Sequence, residues 1–477
     1  MVTKPRVQSF ALVLLLLSSA GLVAQQGTAT GSRDRSIAFF GSSVPNGTGD
    51  ETGQGGYTGR MRTLLEPHRW EVLNRSRGGD NTVTIRPRFE PDGVADPNIR
   101  YLTPGNPGYA VLALSLGNEG ITECAPGQTR RCTATRDEAD QIYQQFATGL
   151  WDLVERTRAA GIVPIVTLCY TRGDFNAREY AYTRRMNLLV NSWDVPSVNL
   201  LGAIDDGAGR WAQGFVADPS HPNSAGHTEM AHAFVPSLFD ALAAGKPLPV
   251  KSTASGFVRI RDGSAAPLSF SPDTTMRSFA VSFLVRATGD GAVAAVAGQT
   301  LDHAAQQREH GRRRQSIEVY TLTPSGRTHT RLAVVDGRLG YAASSGQMVA
   351  STADAADGGW HHVVLSHYAA RGETLLFVDG DLAGSVNERL QPDRFVLGGA
   401  GGTGGAAPEQ ADYKDWMIHR AGLNADEAAA LHAGTLLQAS LEIYAPLTGP
   451  EGASAGNLAQ SLSVIEVQSA GVIHSQD

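Results

Sequence analysis

The sequence predicts an α/β domain over residues 36–244 followed by an all-β sandwich over residues 254–447. Three observations carry this. As far as residue 244, apolar strand-like runs alternate with amphipathic helix-like runs. Beyond Lys246-Pro-Leu-Pro249 the helical periodicity almost vanishes, and short β-rich runs bounded by glycine and polar turns replace it. Finally, Ser36–Gly47 (SIAFFGSSVPNG) reads as a buried strand, Ile37–Phe40, that stops at Gly41 and passes into two serines and a Pro-Asn-Gly turn. In a parallel sheet covered by helices, ligands bind outside the carboxyl ends of the strands, so a hydroxyl at such an end is placed to meet a substrate.

The α/β elements follow in order. Strands are expected at Trp70–Leu73, Tyr109–Ser115, Ile162–Leu168 and Val198–Leu201. A helix is expected over Arg136–Ala160, where Ile142, Phe146, Leu150 and Leu153 fall on one face. Thr135 with Glu138 forms a capping box at its start, and Gly161 follows its end. Further helices are expected over Asp174–Trp193 and Ser224–Ala244. Helices of this length between strands predict a parallel sheet covered on both faces.

After the linker at 245–253, strands are expected at Ser278–Arg286, Ser316–Leu322, Thr330–Val335, His361–Tyr368, Thr374–Asp379 and Ser440–Leu447, with one late helix at Asn424–Ala433. Many short strands between turns imply a sandwich. Residues 448–477 read as a polar tail, and Gly398–Ala407 (GGAGGTGGAA) as a flexible loop. No internal repeat is visible.

Composition narrows the function. The 477 residues exceed one ordinary core, and 42% hydrophobic with 18% charged residues is globular rather than disordered. A net charge of -7 gives no electrostatic reason to bind nucleic acid or an anionic membrane. Residues 1–24 have the form of an export signal, with Lys4 and Arg6 before the apolar run Phe10–Val23 and small residues Ala20 and Ala24 for cleavage. The run is too short to span a bilayer comfortably, so no integral membrane segment is expected and the mature chain would be secreted or periplasmic. Cys124 and Cys132 flank a short polar loop and are expected to pair in an oxidising compartment, leaving Cys169 as a small buried hydrophobe.

Hydroxyl attack on an acyl carbon needs a base, a group that orients the base, and donors for the developing oxyanion. Asp218-Pro-Ser-His221 offers the first two from one loop, stiffened by Pro219 and Pro222 and followed by Asn223 as a helix cap. An isolated motif of this kind is more often a capped loop with a satisfied histidine. Here Gly41-Ser-Ser43-Val, Asn74-Arg-Ser-Arg-Gly-Gly79-Asp-Asn and Leu116-Gly-Asn118-Glu precede it in order. Together the four segments resemble the signature blocks of the SGNH (GDSL) hydrolase family. The resemblance implies a three-layer flavodoxin-like fold and a serine esterase. It further implies that Ser43 is the nucleophile, His221 the general base and Asp218 its partner, with an oxyanion hole from the amides of Ser43 and Gly79 and the side chain of Asn118. Two departures stand out. Ser42 replaces the family's usual aspartate and is the alternative nucleophile, and Glu119 stands where a second aspartate is usual. Gly78 competes with Gly79.

Other candidates have simpler readings. His227 and His232 read as surface or packing residues, Asp205 and Asp206 as a turn, and no metal-binding spacing or cofactor motif appears. Asp80 and Asn81 are candidate substrate contacts. In the second domain, Trp360-His-His-Val-Val-Leu365, Leu376-Phe-Val-Asp-Gly380 and Phe395-Val-Leu-Gly-Gly399 resemble a concanavalin A-like (laminin G-like) jelly roll. That family often handles glycans, so glycan binding is one expectation for this domain and packing against the hydrolase domain is the other. Arg308–Arg314 (REHGRRR) reads as a solvated basic loop or a contact for an acidic polysaccharide. The expected activity is hydrolysis of acyl, above all acetyl, esters of carbohydrate. The alternatives are a lipid or aryl esterase and a glycan-binding protein with an inactive hydrolase domain.

Overall fold

The computed structural model describes residues 34–89, 107–128, 132–260, 268–310, 315–398, 411–448, 456–467 and 472–475. The segment read as an export signal and most of the glycine-rich loop lie outside them. So do 311–314 of the basic cluster, and the side chains of 308–310 are likewise not described.

Five parallel strands form the first sheet: β1 (Ser36–Gly41), β2 (Glu71–Asn74), β3 (Tyr109–Ala113), β4 (Val163–Thr167) and β5 (Ser197–Val198). Their spatial order is β2-β1-β3-β4-β5, the doubly wound order whose direction of winding reverses between β1 and β3. Alternation along each strand builds three layers. Ile37 and Phe39 point to one face, where they meet Tyr57, Met61, Met230, Phe234 and Phe239. Ala38 and Phe40 point to the other, against Phe146, Leu150, Leu153, Met186 and Val190. Burying a side chain as large as Phe39 or Phe40, each 0% exposed, stabilises by roughly 1.5–3 kcal/mol.

The long helix spans Arg136–Ala159 with the Thr135–Glu138 capping box formed, and its partner spans Ala177–Asn191 behind an Asn176–Glu179 box. The third expected helix is instead two, Ser224–His232 and Leu238–Ala243, because Pro236 between them has no N–H to carry the ladder across. Val198–Leu201 is strand only to Val198; Leu201–Ile204 turns into a helical step.

The remainder is two mostly antiparallel sheets on a shared core. One contains Asp381–Asn387, Glu373–Val378, His361–Tyr368, Phe279–Ala287, Ala411–His419, Phe257–Ile260 and Val472–Ser475, with Leu441–Ala445 also on Ala411–His419. The other contains Met348–Ala350, Arg338–Ala342, Gln315–Val335, Gly291–His310, Leu390–Leu397, Leu268–Phe270 and Glu466–Val467. Val281, Phe283 and Trp416 from the first sheet meet Val293, Val296 and Phe395 from the second, which makes a sandwich. The residues read as a polar tail in part complete it. Glu466–Val467 pairs with Leu268–Phe270, and Val472–Ser475 pairs with Phe257–Ile260.

Residues 34–477 cluster as one unit. Main-chain hydrogen bonds cross between the α/β part and the sandwich: Ser440 N–H donates to Ser197 O at 3.0 Å, and Gly422 N–H to Gly202 O at 3.0 Å. Asn199 Nδ2 donates to the buried Glu427 at 3.0 Å, and burial pushes that carboxyl up to about 8. Lys246, at the start of the segment read as a linker, donates to Ser461 O at 2.7 Å. Among the described residues no helix is long and apolar enough to cross a membrane.

Candidate active site

The carboxyl ends of the strands deliver the candidate residues one after another. β1 ends at Gly41, and Ser43 opens the helical turn Ser43–Asn46, whose leading N–H groups have no acceptor within the turn. β2 runs into Asn74, whose Nδ2 donates to Pro45 O at 3.0 Å and draws the following loop beside the serine turn. Arg77 N–H donates to Gly41 O at 2.9 Å, and the chain then passes through Gly78 and Gly79. Gly78 lies beside Ser43: a Cβ there would sit 3.9 Å from the serine Cβ. Gly79 takes φ +84°, the left-handed region that glycine enters without a Cβ penalty. β3 leads into the short turn Leu116–Glu119 carrying Asn118, whose Nδ2 donates to Asp80 O at 3.1 Å. Ser43 and Asn118 thus flank the crevice between β1 and β3 where the winding reverses.

Asp218 and His221 come from the C-terminal part of the α/β sequence. Val216–Asp218 and His221–Pro222 pair as a two-stranded arm, with Asp218 opposite His221. His221 Nδ1 lies 2.9 Å from both Asp218 carboxylate oxygens, and Nε2 lies 2.9 Å from Ser43 Oγ. Partial burial pushes the Asp218 carboxyl up, but hydrogen bonds from the His221 ring and the Ser220 N–H outweigh it and hold the group below its ordinary value. The carboxylate side chain is 50% exposed and the imidazole 17%, so the arrangement opens towards solvent. Three side chains of the right chemistry are therefore linked through the ring, 178 residues apart in sequence at the Ser43–His221 bond.

The alternative serine is differently placed. Ser42 is 0% exposed and its Oγ lies 3.4 Å from the hydroxyl of Tyr170, itself buried and pushed up to about 12. The candidate substrate contacts at 80 and 81 both have structural partners. Asp80 is buried and accepts from Arg77 at 2.7 Å and from the buried Arg88, which anchors the loop carrying Gly79. Asn81 caps the next helical turn through Val83 and Thr84 N–H. Glu119 points inward and accepts from Thr82 and from Gln145 Nε2 at 3.0 Å, fixing the Asn118 turn to the long helix.

His227 is fully buried: Tyr57 N–H donates to Nδ1 at 3.2 Å, and Nε2 donates to Thr48 O at 3.0 Å, so the ring is neutral. Asp206 makes the expected turn, accepting from Ala208 and Arg210 N–H, whereas Asp205 is buried and accepts from Tyr180 Oη at 2.5 Å. Cys124 and Cys132 are joined in a disulfide, and Cys169 is buried with its thiol pushed up to about 12 by desolvation. Among the described residues no group of three or more His, Cys, Asp or Glu could hold a metal ion.

Arg172 was not singled out from sequence. It follows β4, ion-pairs Asp174, donates to Ser220 Oγ at 2.9 Å and lies against Gly117. It therefore bridges the Asn118 turn and the Asp218–His221 arm. Its position just past a strand end is the one signal that could have marked it.

The profile of the GDSL-like lipase/acylhydrolase family matches residues 39–228. Among solved structures, an acetylxylan esterase from Geobacillus stearothermophilus is similar at 17% identity, with 42% of this chain and 91% of that one covered and a TM-score of 0.31. A GDSL-like lipase from Bacteroides thetaiotaomicron is similar at 14% identity, covering 42% and 85%, with a TM-score of 0.29. No curated protein sequence matches. Residues 39–228 thus match the GDSL-like lipase/acylhydrolase family as a domain within the chain.

Proposed function

We propose that this is an exported esterase that removes short acyl groups, acetyl above all, from carbohydrate, with Ser43, His221 and Asp218 as its catalytic triad. The observation that carries the reading is the pair of 2.9 Å contacts running from Ser43 Oγ through His221 to Asp218. His221 Nε2 takes the Ser43 proton as Oγ attacks the acyl carbon, while Asp218 holds Nδ1–H and stabilises the imidazolium. The amides of Ser43 and Gly79 and the second N–H of Asn118 receive the oxyanion. The tetrahedral adduct collapses, the alcohol leaves with the proton from His221, and the acyl group remains on Ser43. Water, deprotonated by His221, attacks that ester in turn and releases the carboxylic acid.

The carbohydrate part rests on the appended sandwich and the open site. With Asp218 half-exposed, a bulky hydrated alcohol such as a sugar can approach, whereas a lipid chain would gain little from so polar a rim. The disulfide and the leader-like residues 1–24 support export. Hydrolysis of p-nitrophenyl acetate, butyrate and octanoate by wild type, Ser43→Ala and Ser42→Ala tests the reading, together with acetate release from acetylated polysaccharides. Expected are short-chain preference, loss of activity in Ser43→Ala and retention in Ser42→Ala. Equal turnover of octanoate, or an active Ser43→Ala, overturns it.

A further inference from the structure

The strands Gly291–His310 and Gln315–Val335 are far longer than the sandwich needs. Leu390–Leu397 pairs with the first only over Ala294–Thr300, and Arg338–Ala342 with the second only over Arg331–Val335. Beyond Leu301 and Pro324 the two strands pair only with each other, as a projecting two-stranded ribbon. A lone ribbon is marginal in water and needs a surface to lie on.

The surface it lies on is the root of the arm that carries Asp218 and His221. In the ribbon register His303 is opposite Leu322 and Ala305 opposite Tyr320, which puts His303, Tyr320 and Leu322 on one face. The His303 ring stacks on Phe215 at 5.4 Å and 14°, and against Tyr320 at 4.6 Å. The Tyr320 ring covers Gly214, where a Cβ would meet ring carbons at 2.5–2.9 Å; Gly214 also takes φ +88°. Leu322 packs on the core of the α/β part.

Gly214 and Phe215 in turn hold the arm. Gly214 O accepts from Asn223 Nδ2 at 2.9 Å, and Phe215 O accepts from Asn223 N–H at 3.1 Å. Val216, the next residue, begins the pairing that sets Asp218 opposite His221. The chain of contact therefore runs from the sandwich ribbon through Phe215 and Gly214 to the candidate base.

We propose that His303 and Tyr320 are positioning residues: through Gly214 and Phe215 they hold the Asp218–His221 arm in register with Ser43, so the sandwich sets the catalytic geometry. The inference rests on the roles proposed for Asp218 and His221. It requires the ring of Tyr320, which contacts Gly214, and not its hydroxyl.

The test uses the full chain as Tyr320→Ala, Tyr320→Phe and His303→Ala. Hydrogen exchange is followed over residues 213–223, and kcat and KM are measured with p-nitrophenyl acetate. Tyr320→Ala and His303→Ala are expected to speed exchange across 213–223 by at least about tenfold and to lower kcat by about 10- to 100-fold with KM little changed. Tyr320→Phe is expected to match wild type in both. Exchange over 213–223 unchanged in the two alanine variants, or kcat unchanged in both, overturns the inference; if Tyr320→Ala does not fold, His303→Ala decides it. A wild type that hydrolyses no ester would sink the proposed activity, and the exchange arm would still decide whether the ribbon holds the loop.

Discussion

The side-chain amide of Asn118 donates to the main-chain carbonyl of Asp80 at 3.1 Å, tying the turn after β3 to the turn after β2. One of its two N–H groups is thereby used to aim the other. Asn118→Ala should lower kcat about 10²–10³-fold, or roughly 2.7–4 kcal/mol, with little change in KM, because the donor acts on charge that develops only in the transition state. Steady-state kinetics on p-nitrophenyl acetate reads this directly; a rise in KM with kcat intact would mean that Asn118 binds the ground state.

The loop carrying Gly79 is anchored by a charge pair with both side chains 1% exposed, Asp80 and Arg88. Removing Arg88 takes one of two charged partners from the buried Asp80, which keeps Arg77 at 2.7 Å. Arg88→Met is therefore expected to destabilise by about 1.5–3 kcal/mol. Urea denaturation followed by tryptophan fluorescence measures it, and a loss below about 1 kcal/mol would show that water reaches Asp80.

Gly79 has open space around its missing Cβ but a left-handed backbone. Gly79→Ala meets no steric obstacle, so its penalty is the backbone preference alone, about 1–2 kcal/mol. Activity should fall further than this stability loss implies if the backbone relaxes and turns the Gly79 N–H away. A variant as active as wild type would remove Gly79 from the oxyanion hole.

Acid should destabilise the fold well above the carboxylate range. Desolvation pushes the buried rings of His227 and His419 down to about 4 and that of His367 to about 3. In the unfolded chain they take up protons as pH falls through about 6.5, while the native state refuses them until about 4. The contribution of these rings to stability is thus complete above about 6.5 and declines as pH drops towards 4. Thermal melts from pH 7.5 to 4.5 should show Tm falling steadily below 6.5, and a flat profile from 7 to 5 would refute it.

Much of this molecule is legible in one dimension where local chemistry repeats itself. The Thr135–Glu138 box and the apolar face behind it set the long helix within a residue. The strand His361–Tyr368 and the late helix, expected over Asn424–Ala433 and found at Ala425–His432, are equally plain. Gly291–His310 was not, because its alanines and polar residues carry little β-propensity, and only pairing with Gln315–Val335 makes them a strand. The break at Pro236 was overlooked because apolar residues continue on both sides of it. Arg172 and Tyr320 lie in no motif at all.

The sequence alone determined the strand ends, the residue types that wait there and the order in which they occur, since periodicity, caps and turns are encoded over a few neighbouring positions. Only the tertiary structure decided that Asp80 and Glu119 face inward as anchors, that Ser42 is sealed beneath Tyr170, and that a ribbon from the sandwich reaches the Asp218–His221 arm. Those outcomes depend on which surfaces meet across the sheet and across the two parts of the chain, and such meetings are fixed by packing and desolvation rather than by local pattern.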